Sequence, residues 1–191
     1  MIDGVTSTRQ AYLFARISSV VKKEQLESSS SVQRLVLLGR GGKDEVEDSL
    51  VFFGKVLGFE VVVIDHSPVL TKEPDVLIKG ADYDISNFNF RPSDSVVVLT
   101  HGEDDATTLA KISKSVVRYI GLLASRQRAS GVTEEMKKNG VPESFVDSIR
   151  SPVGADIGAV TSSEIALSIM TEIIGTKYGK ALPSKDQNAA K

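Results

Sequence analysis

Short apolar runs that end in glycine or polar turn residues recur along the chain, and they constrain its fold more than any other feature. Such runs occur at Leu35–Leu38, Val61–Ile64 and Ser95–Leu99. Each is too short for a helix and is continuously apolar rather than alternating, which is typical of a strand buried on both faces of a parallel sheet. A weaker run at Asp75–Ile78 and another at Val116–Ile120 predict two further strands.

Helical patterns lie between these predicted strands. The spacing predicts a helix from Asp44 to about Leu57 that stops at Gly58, a second helix that runs through Ala110, and a third that starts near Ser125. Strands that alternate with helices form parallel sheets through right-handed crossovers. The chain is therefore predicted to be an α/β protein with a Rossmann-like, doubly wound, mainly parallel sheet and helices on both faces.

The pattern after residue 131 is less regular. Pro142 suits the first turn of a short helix that ends near Ile149. The spacing of Thr161 and Glu164 is that of a capping box, in which each side chain accepts a backbone donor of the first helical turn. A last helix is therefore predicted to run from this box to about Ile174.

The N-terminal segment has no obvious place in such a sheet. Residues Ser7–Leu26 carry an apolar stripe at helical spacing, which predicts an amphipathic N-terminal helix. We expect its Leu13, Ile17 and Val20 face to pack on the sheet or on a second copy of the chain, which would make a homodimer. The predicted organisation is an N-terminal helix and linker at 1–31, the Rossmann-like domain at 32–180 and a loose polar tail at 181–191.

Composition and charge exclude several classes of function. The formal net charge is -2 and no basic stripe with interleaved aromatic residues is present, so nucleic acid is not an expected partner. The chain has no cysteine, which excludes disulfides, thiolate metal sites and a cysteine nucleophile. No apolar run is long enough to span a bilayer, and no secretory signal opens the sequence, so we expect a cytoplasmic protein without membrane contact.

The first predicted strand leads into a glycine-rich loop, Gly39-Arg40-Gly41-Gly42-Lys43. Dinucleotide-binding folds place their phosphate loop at this point, because glycines let the backbone approach a pyrophosphate while the following helix N-terminus supplies donors. Only two glycines fit the usual pattern, since Asp44 takes the third position. A phosphate loop and a plain strand-to-helix turn therefore both stay open.

Polar residues follow the next strands at the same predicted edge of the sheet. Asp65 ends the second strand, where an acid can bind ribose hydroxyls, although a turn-forming aspartate is the alternative. His66 is a candidate ligand contact or a turn residue, whereas Thr100 and His101 are the better candidates for a ligand contact or acid/base role. A metal site of His101 with a following aspartate, Asp104 or Asp105, has no spacing rule behind it.

Two later loops add further candidates. Gly121, Ser125 and Arg126 are predicted to form another strand-to-helix loop, whose hydroxyl and guanidinium suit phosphate, or else a solvated helix start. Asp156, which lies shortly before Gly158, either caps the last helix or faces the ligand. No nucleophile and base pair stands out, so binding is expected rather than catalysis.

The C-terminal half also resembles a known family. The segments RYIGLLASR (118–126), SPVGADIG (151–158) and EIALSIMTEI (164–173), with Thr100 and His101 before them, are similar to the xanthine dehydrogenase accessory factor family of the XdhC/CoxF type. The resemblance runs from about Leu35 to Ile174. It implies a Rossmann-like domain and a role in maturing molybdenum hydroxylases by binding the molybdenum cofactor and aiding its sulfuration and insertion.

Residue by residue, the resemblance implies a ligand site at ten positions: Gly39, Gly41, Asp65, Thr100, His101, Gly121, Ser125, Asp156, Ile157 and Gly158. The chain departs from the family where it has Gly42 in place of the usual histidine and Ala124 in place of a glycine. Longer members carry an N-terminal domain with cysteine-bearing motifs. Because no cysteine is present here, either a separate protein with such a domain supplies the sulfuration chemistry or the function has diverged from that of the family.

Three functions therefore stay open at the level of sequence. The first is an accessory protein that binds molybdopterin or its dinucleotide form for a molybdenum hydroxylase client. The second is an NAD(P)-binding oxidoreductase or redox sensor that uses the glycine loop and Asp65. The third is an interaction scaffold whose glycine loops only turn corners.

Overall fold

A five-stranded parallel sheet forms the centre of the part of the chain that the structure describes. The computed structural model describes residues 32–80, 85–102, 104–180 and 182–183. Within them the sheet has the order β3-β2-β1-β4-β5, with every neighbouring pair parallel. The strands are β1 (Arg34–Leu38), β2 (Glu60–Ile64), β3 (Val76–Ile78), β4 (Ser95–Val98) and β5 (Tyr119–Leu122). From β1 the chain adds β2 and β3 on one side, and it then returns to add β4 and β5 on the other side. The topological switch point therefore lies between β1 and β4.

Helices cover both faces of this sheet, so the predicted fold class is confirmed. The α-helices are α1 (Glu45–Val56), α2 (Asp105–Ile112), α3 (Arg126–Lys138), α4 (Glu143–Val146) and α5 (Ser162–Lys177). Helices α1 and α5 share one apolar core with Leu35 and Leu37 of β1. Helices α2 and α3 share the other core with Val36 and Leu38, whose side chains point to the opposite face. None of the described helices has the length and apolarity that crossing a bilayer requires.

The helix signals in the sequence are largely confirmed. Asp44 is the N-cap of α1, and Ser125 is the N-cap of α3. Thr161 and Glu164 form the predicted capping box at the start of α5. The limits differ at the other ends: α2 continues to Ile112, α5 ends one turn later than predicted, and the segment after Pro142 holds only the short helix α4.

The predicted limits of the fifth strand were wrong. Val116 is 73% exposed and precedes the sheet, whereas β5 begins at Tyr119, which pairs with Ser95. A pair of β-branched residues, Val116 and Val117, resembles a strand in sequence but lies before the point at which the chain becomes buried. Gly121 therefore lies inside β5 and not in the loop that follows it.

The connection between β2 and β3 departs from the regular alternation of strands and helices. Residues 65–75 form no helix, so β2 passes to β3 through a loop. The side chains of Val76, Leu77 and Ile78 are consequently 37–39% exposed. The predicted N-terminal helix at Ser7–Leu26 lies outside the described residues.

Candidate functional site

The glycine loop between β1 and α1 is joined to the end of β2 and the loop after it by four hydrogen bonds, one of which runs from Val69 N to Gly42 O at 2.9 Å. Gly39 N donates to Ile64 O at 3.1 Å, and Gly42 N donates to Ser67 O at 2.9 Å. Between them, Gly41 N donates to Asp65 Oδ2 at 2.7 Å. The two loops therefore lie side by side at the carboxyl edge of the sheet.

The Asp65 carboxylate holds these two loops together through hydrogen bonds. Its side chain is buried, and while Oδ2 accepts from Gly41, Oδ1 accepts from Ser67 N at 2.8 Å. Hydrogen bonds from backbone amides to a carboxylate are about twice as strong as neutral ones. In this conformation both oxygens stabilise the loops, which is a role that the sequence interpretation of Asp65 did not include.

His66 explains why position 41 is a glycine. A Cβ on Gly41 would overlap the imidazole ring of His66, and the φ of Gly41 is +92°, which side chains with a Cβ rarely adopt. The His66 side chain is 46% exposed above this point. The ring therefore forms part of the outer wall of the loop pair.

Thr100 and His101 follow β4 and lie at the same carboxyl edge of the sheet as the glycine loop. Leu99 N donates to Leu38 O at 2.8 Å, which fixes this segment beside the end of β1. His101 Nε2 lies 2.6 Å from Asp44 Oδ2, so a side chain that follows β4 contacts the residue that opens α1. The glycine loop and His101 therefore lie on the two sides of the switch point, an edge that we call the crevice, and the contact between His101 and Asp44 spans it.

Asp44 occupies the position where a dinucleotide-binding fold would hold phosphate. Its Oδ1 accepts from Val46 N at 2.8 Å and from Glu47 N at 3.2 Å, which are orphan donors of the α1 N-terminus. A negative charge at that end is also favoured by the helix dipole. A ligand phosphate would have to displace this carboxylate or bind outside it, near the exposed residues Arg40 and Lys43.

Glu47 is a buried acid that sequence reasoning missed. Its side chain is 1% exposed, and Oε1 has no hydrogen-bond partner among the described residues. Burial, followed by the charges of Asp65, Asp44 and Asp48, raises the pKa of Glu47 to about 8. One signal could have found it, because Glu47 lies at helical spacing from the buried Leu50 and Val51.

A second polar cluster joins the ends of β4 and β5. The Thr100 hydroxyl donates to Asp105 Oδ1, and Arg128 Nε lies 3.2 Å from Asp105 Oδ2. Arg128 also donates to Leu123 O. Sequence reasoning did not single out Arg128, whose partner Asp105 is buried at the first turn of α2.

This cluster also bears on the metal site considered for His101. Asp105 faces Thr100 and Arg128, while His101 faces Asp44. In the part of the chain that the structure describes, no three histidine or acidic side chains are grouped so that they could hold a metal ion. The contact that the structure gives the His101 ring is the one with Asp44.

The remaining predicted site residues lie in two other loops. The Ser125 hydroxyl accepts from Arg128 N at 3.2 Å as the cap of α3, and Ser125 and Arg126 are exposed. Gly121 is buried within β5, where a Cβ would overlap the side chain of Val153, and this packing explains why it is a glycine. The loop position expected for Gly121 was therefore wrong.

Asp156 and Gly158 are exposed in the loop before α5. Because Thr161 is the N-cap, the capping role considered for Asp156 was wrong. The start of α5 contacts α1, with Ser162 Oγ 3.3 Å from Glu45 Oε2. The backbone amide of Asp156 donates to Pro183 O at 2.8 Å, which joins this loop to the segment that follows α5.

Comparison with known proteins gives one family match. A family model described as the XdhC Rossmann domain matches residues 35–173, which is most of the chain. The matched region begins in β1 and ends in α5, so it contains every element of the sheet and the whole crevice described above.

Individual relatives agree with this match. The chain is 36% identical over 151 residues to a probable xanthine dehydrogenase subunit from Bacillus subtilis, covering 75% of this chain and 43% of the relative. It is 30% identical over 151 residues to the uncharacterized protein YqeB of Escherichia coli, covering 75% of this chain and 27% of that protein. A crystal structure of a xanthine dehydrogenase from Bacillus halodurans superposes with a TM-score of 0.64 at 28% identity, covering 84% of this chain and 45% of that one. The chain thus spans less than half the length of these relatives.

Proposed function

Because the chain belongs to the XdhC Rossmann-domain family, we propose that it is an accessory protein for the maturation of a xanthine dehydrogenase-type molybdenum hydroxylase. In this role it binds the molybdenum cofactor, as molybdopterin or its dinucleotide form, at the crevice between β1 and β4. The cofactor's molybdenum supplies the redox chemistry of the client enzyme, so this chain needs only to bind, orient and release it. The names of two relatives, which refer to xanthine dehydrogenase, support the choice of client.

The single observation that carries the proposal is the convergence of three segments at the switch point. Gly41 N bonds Asp65 Oδ2 at 2.7 Å, and His101 Nε2 lies 2.6 Å from Asp44 Oδ2. Open parallel sheets bind their ligands in the crevice outside the carboxyl ends of the strands, at the point where the strand order reverses. The residues that converge here therefore occupy the usual ligand position of this architecture.

The outer and inner sides of the crevice suit different parts of such a ligand. The exposed side chains of Arg40 and Lys43 offer hydrogen-bond donors and positive charge to a phosphate on the outer side of the loop, and the exposed imidazole of His66 offers a further polar contact. The inner position at the α1 N-terminus holds the carboxylate of Asp44, which suits N–H groups such as those of a pterin ring. We therefore propose that the phosphate lies outward, next to the basic residues, and that the ring system lies toward Asp44 and His101.

The chain supplies no thiol, so the sulfuration step belongs to another protein in this proposal. We propose a separate protein with an XdhC-type N-terminal domain as that partner. The relatives extend well beyond the matched region.

The test is identification of the small molecule that accompanies the protein when it is purified under mild conditions. Mass spectrometry of the denatured supernatant should detect a pterin from the wild-type protein. A variant with Lys43→Glu should lose this pterin while keeping its fold, because Lys43 is exposed and pairs only weakly with Glu45 at 3.5 Å. If the variant carries the pterin at the same occupancy as the wild type, the phosphate does not bind next to Lys43.

The alternative function is NAD(P) binding for an oxidoreductase or redox sensor. The observation that favours it is the position of the glycine loop and Asp65 at the ends of β1 and β2. Against it, the Asp65 side chain is buried and its oxygens accept backbone donors that hold the two loops, so ribose hydroxyls could reach it only after these loops rearrange. A nicotinamide nucleotide in the supernatant, with no pterin, would replace the proposed function by this one.

A further inference from the structure

The buried carboxyl group of Glu47 lies directly below the glycine loop. A Cβ placed on Gly39 would overlap both Glu47 Oε1 and Asp65 Oδ2. The two carboxyl groups therefore lie close to Gly39 Cα, on the side where a side chain would project. Two acidic side chains thus share one buried space. Backbone amides stabilise the charge of Asp65, whereas Glu47 Oε1 has no such donor among the described residues.

Among the described residues, the charged groups that raise the pKa of Glu47 are aspartates. Asp65 faces it from the loop after β2, and Asp44 and Asp48 act on it from its own helix. The neighbouring histidines are directed at the other acids: His101 lies against Asp44, and His66 Nδ1 lies 3.9 Å from Asp65 Oδ1. A second buried negative charge here would be uncompensated, which is strongly unfavourable.

We propose that Glu47 is a positioning residue for the ligand site: its side chain carries a proton while the glycine loop is closed, and loss of that proton accompanies opening of the loop. In the neutral form, Glu47 fills the space under Gly39 without repelling Asp65. Asp65 can then hold Gly41 N, which keeps the loop in the shape described above. When the loop opens, Glu47 reaches water and ionises.

The direction of this coupling follows from proton linkage. Burial and the neighbouring acids raise the pKa of Glu47 to about 8 in the closed form, while in the open form it returns toward its ordinary value. Opening therefore releases a proton at any pH between those two values, and a higher pH favours the open loop. The inference rests on the proposed function in one respect, because a closed loop matters for ligand binding only if a ligand binds there.

Hydrogen exchange without any ligand tests Glu47 directly. In the wild-type protein, the protection of the Gly41 amide, corrected for intrinsic exchange, should fall about tenfold per pH unit between about pH 5.5 and about pH 7.5. Glu47→Gln, which is neutral at every pH, should keep the loop protected with no such slope. Amides of β1 report the unfolding of the whole domain, so a slope at Gly41 with lower protection than theirs identifies local opening.

The matched control is Glu45→Gln, two residues away on the same helix, because the Glu45 side chain is 66% exposed. It should keep the wild-type slope. A carboxyl-carbon NMR titration of Glu47 in the wild-type chain needs no variant and covers the case in which Glu47→Gln fails to fold. A Glu47 that titrates at an ordinary carboxyl pKa of about 4.3 would overturn the proposal. The same holds if Glu47→Gln shows the wild-type slope.

Ligand binding is measured separately, so that the two proposals can fail independently. The probes are molybdopterin released from a purified molybdenum hydroxylase, and NADP. Above about pH 8.5, Glu47→Gln should bind molybdopterin at least threefold more tightly than the wild type does, because only the wild type carries the extra charge. If neither probe binds either protein but the loop slope is as expected, the proposed function is wrong while the role of Glu47 in the loop is supported.

Discussion

His101 Nε2 and Asp44 Oδ2 lie 2.6 Å apart and connect the two sides of the crevice at the switch point of the sheet. Each residue has a second constraint. Asp44 caps α1 through its other oxygen, and His101 has a φ of +56°, which is uncommon for a residue with a Cβ. Backbone strain of this kind persists where surrounding contacts impose it, and it is enriched at ligand sites. The contact therefore links helix capping, loop conformation and the candidate site.

The capping role of Asp44 can be separated from its contact with His101. Asp44→Ala removes both and should lower the free energy of unfolding by about 1 kcal/mol, which is typical of a lost N-cap. Asp44→Ser retains a capping oxygen but cannot reach His101 as the carboxylate does, so it should lose less. Urea denaturation measures both variants. A loss in Asp44→Ser as large as that in Asp44→Ala would show that the cap is not the source of the effect.

The space around Gly39 predicts a sharp difference between two glycines of the same loop. Gly39→Ala should lower the free energy of unfolding by about 1–3 kcal/mol, because the added methyl overlaps the buried carboxyl groups of Glu47 and Asp65. Gly42 has a φ of +76° with open space around it. Gly42→Asn, which tolerates this conformation, should cost less than about 1 kcal/mol. Equal losses in chemical denaturation would contradict the packing described for Gly39.

The raised pKa of Glu47 predicts how the stability of the whole domain depends on pH. Between about pH 5 and about pH 8 the folded protein keeps the Glu47 proton while the unfolded chain has released it. The unfolded state then binds fewer protons, so the free energy of unfolding should fall by about 1.4 kcal/mol per pH unit from this group. Subtracting the curve of Glu47→Gln isolates this contribution, and Glu45→Gln serves as the control. A difference curve that is flat across this range contradicts a retained proton.

The charge of Asp65 should be visible in the titration of Glu47. Asp65→Asn removes the strongest of the three charges that act on Glu47, so the pKa of Glu47 should fall. It should stay above its ordinary value, because burial is the larger cause and remains. Carboxyl-carbon NMR follows the shift. If the pKa does not move, the two carboxyl groups are not neighbours in solution.

The ion pair of Arg128 with Asp105 predicts a large effect for a residue outside the glycine loop. Arg128→Met leaves the buried Asp105 carboxylate without its counter-charge and should lower the free energy of unfolding by about 3–5 kcal/mol. Arg126→Met, an exposed neighbour on the same helix, should change it by less than about 0.5 kcal/mol. Similar effects for the two arginines in urea denaturation would mean that the Arg128 pair is not formed.

The sheet could be predicted from sequence because its central strands carry the signal themselves. Leu35–Leu38 and Val61–Ile64 are apolar at every position, and the structure buries both of their faces. The limits of β5 could not be predicted in the same way. Val116 and Val117 have strand-like side chains, and only the tertiary position of Tyr119 opposite Ser95 decides where pairing begins.

The candidate site was predictable in outline and not in its interactions. Parallel strands end at one edge, so the proximity of Asp65 and His101 to the glycine loop follows from topology. The bonding of Asp65 to Gly41 N and the burial of Glu47 depend on how α1 sits on the sheet. Arg128 was missed for a similar reason, since its partner Asp105 belongs to another helix and lies 23 positions earlier in the sequence.

Binding of a phosphate-bearing pterin at the crevice between β1 and β4 can be followed by amide chemical-shift mapping. Titration of the labelled protein with molybdopterin released from a molybdenum hydroxylase should shift the amides of residues 39–44, 65–67 and 100–102. Amides at the opposite end of the sheet, such as those of residues 115–118, should stay unchanged and serve as the internal reference. Shifts confined to that opposite end, or no saturable shifts at all, would contradict binding at the crevice.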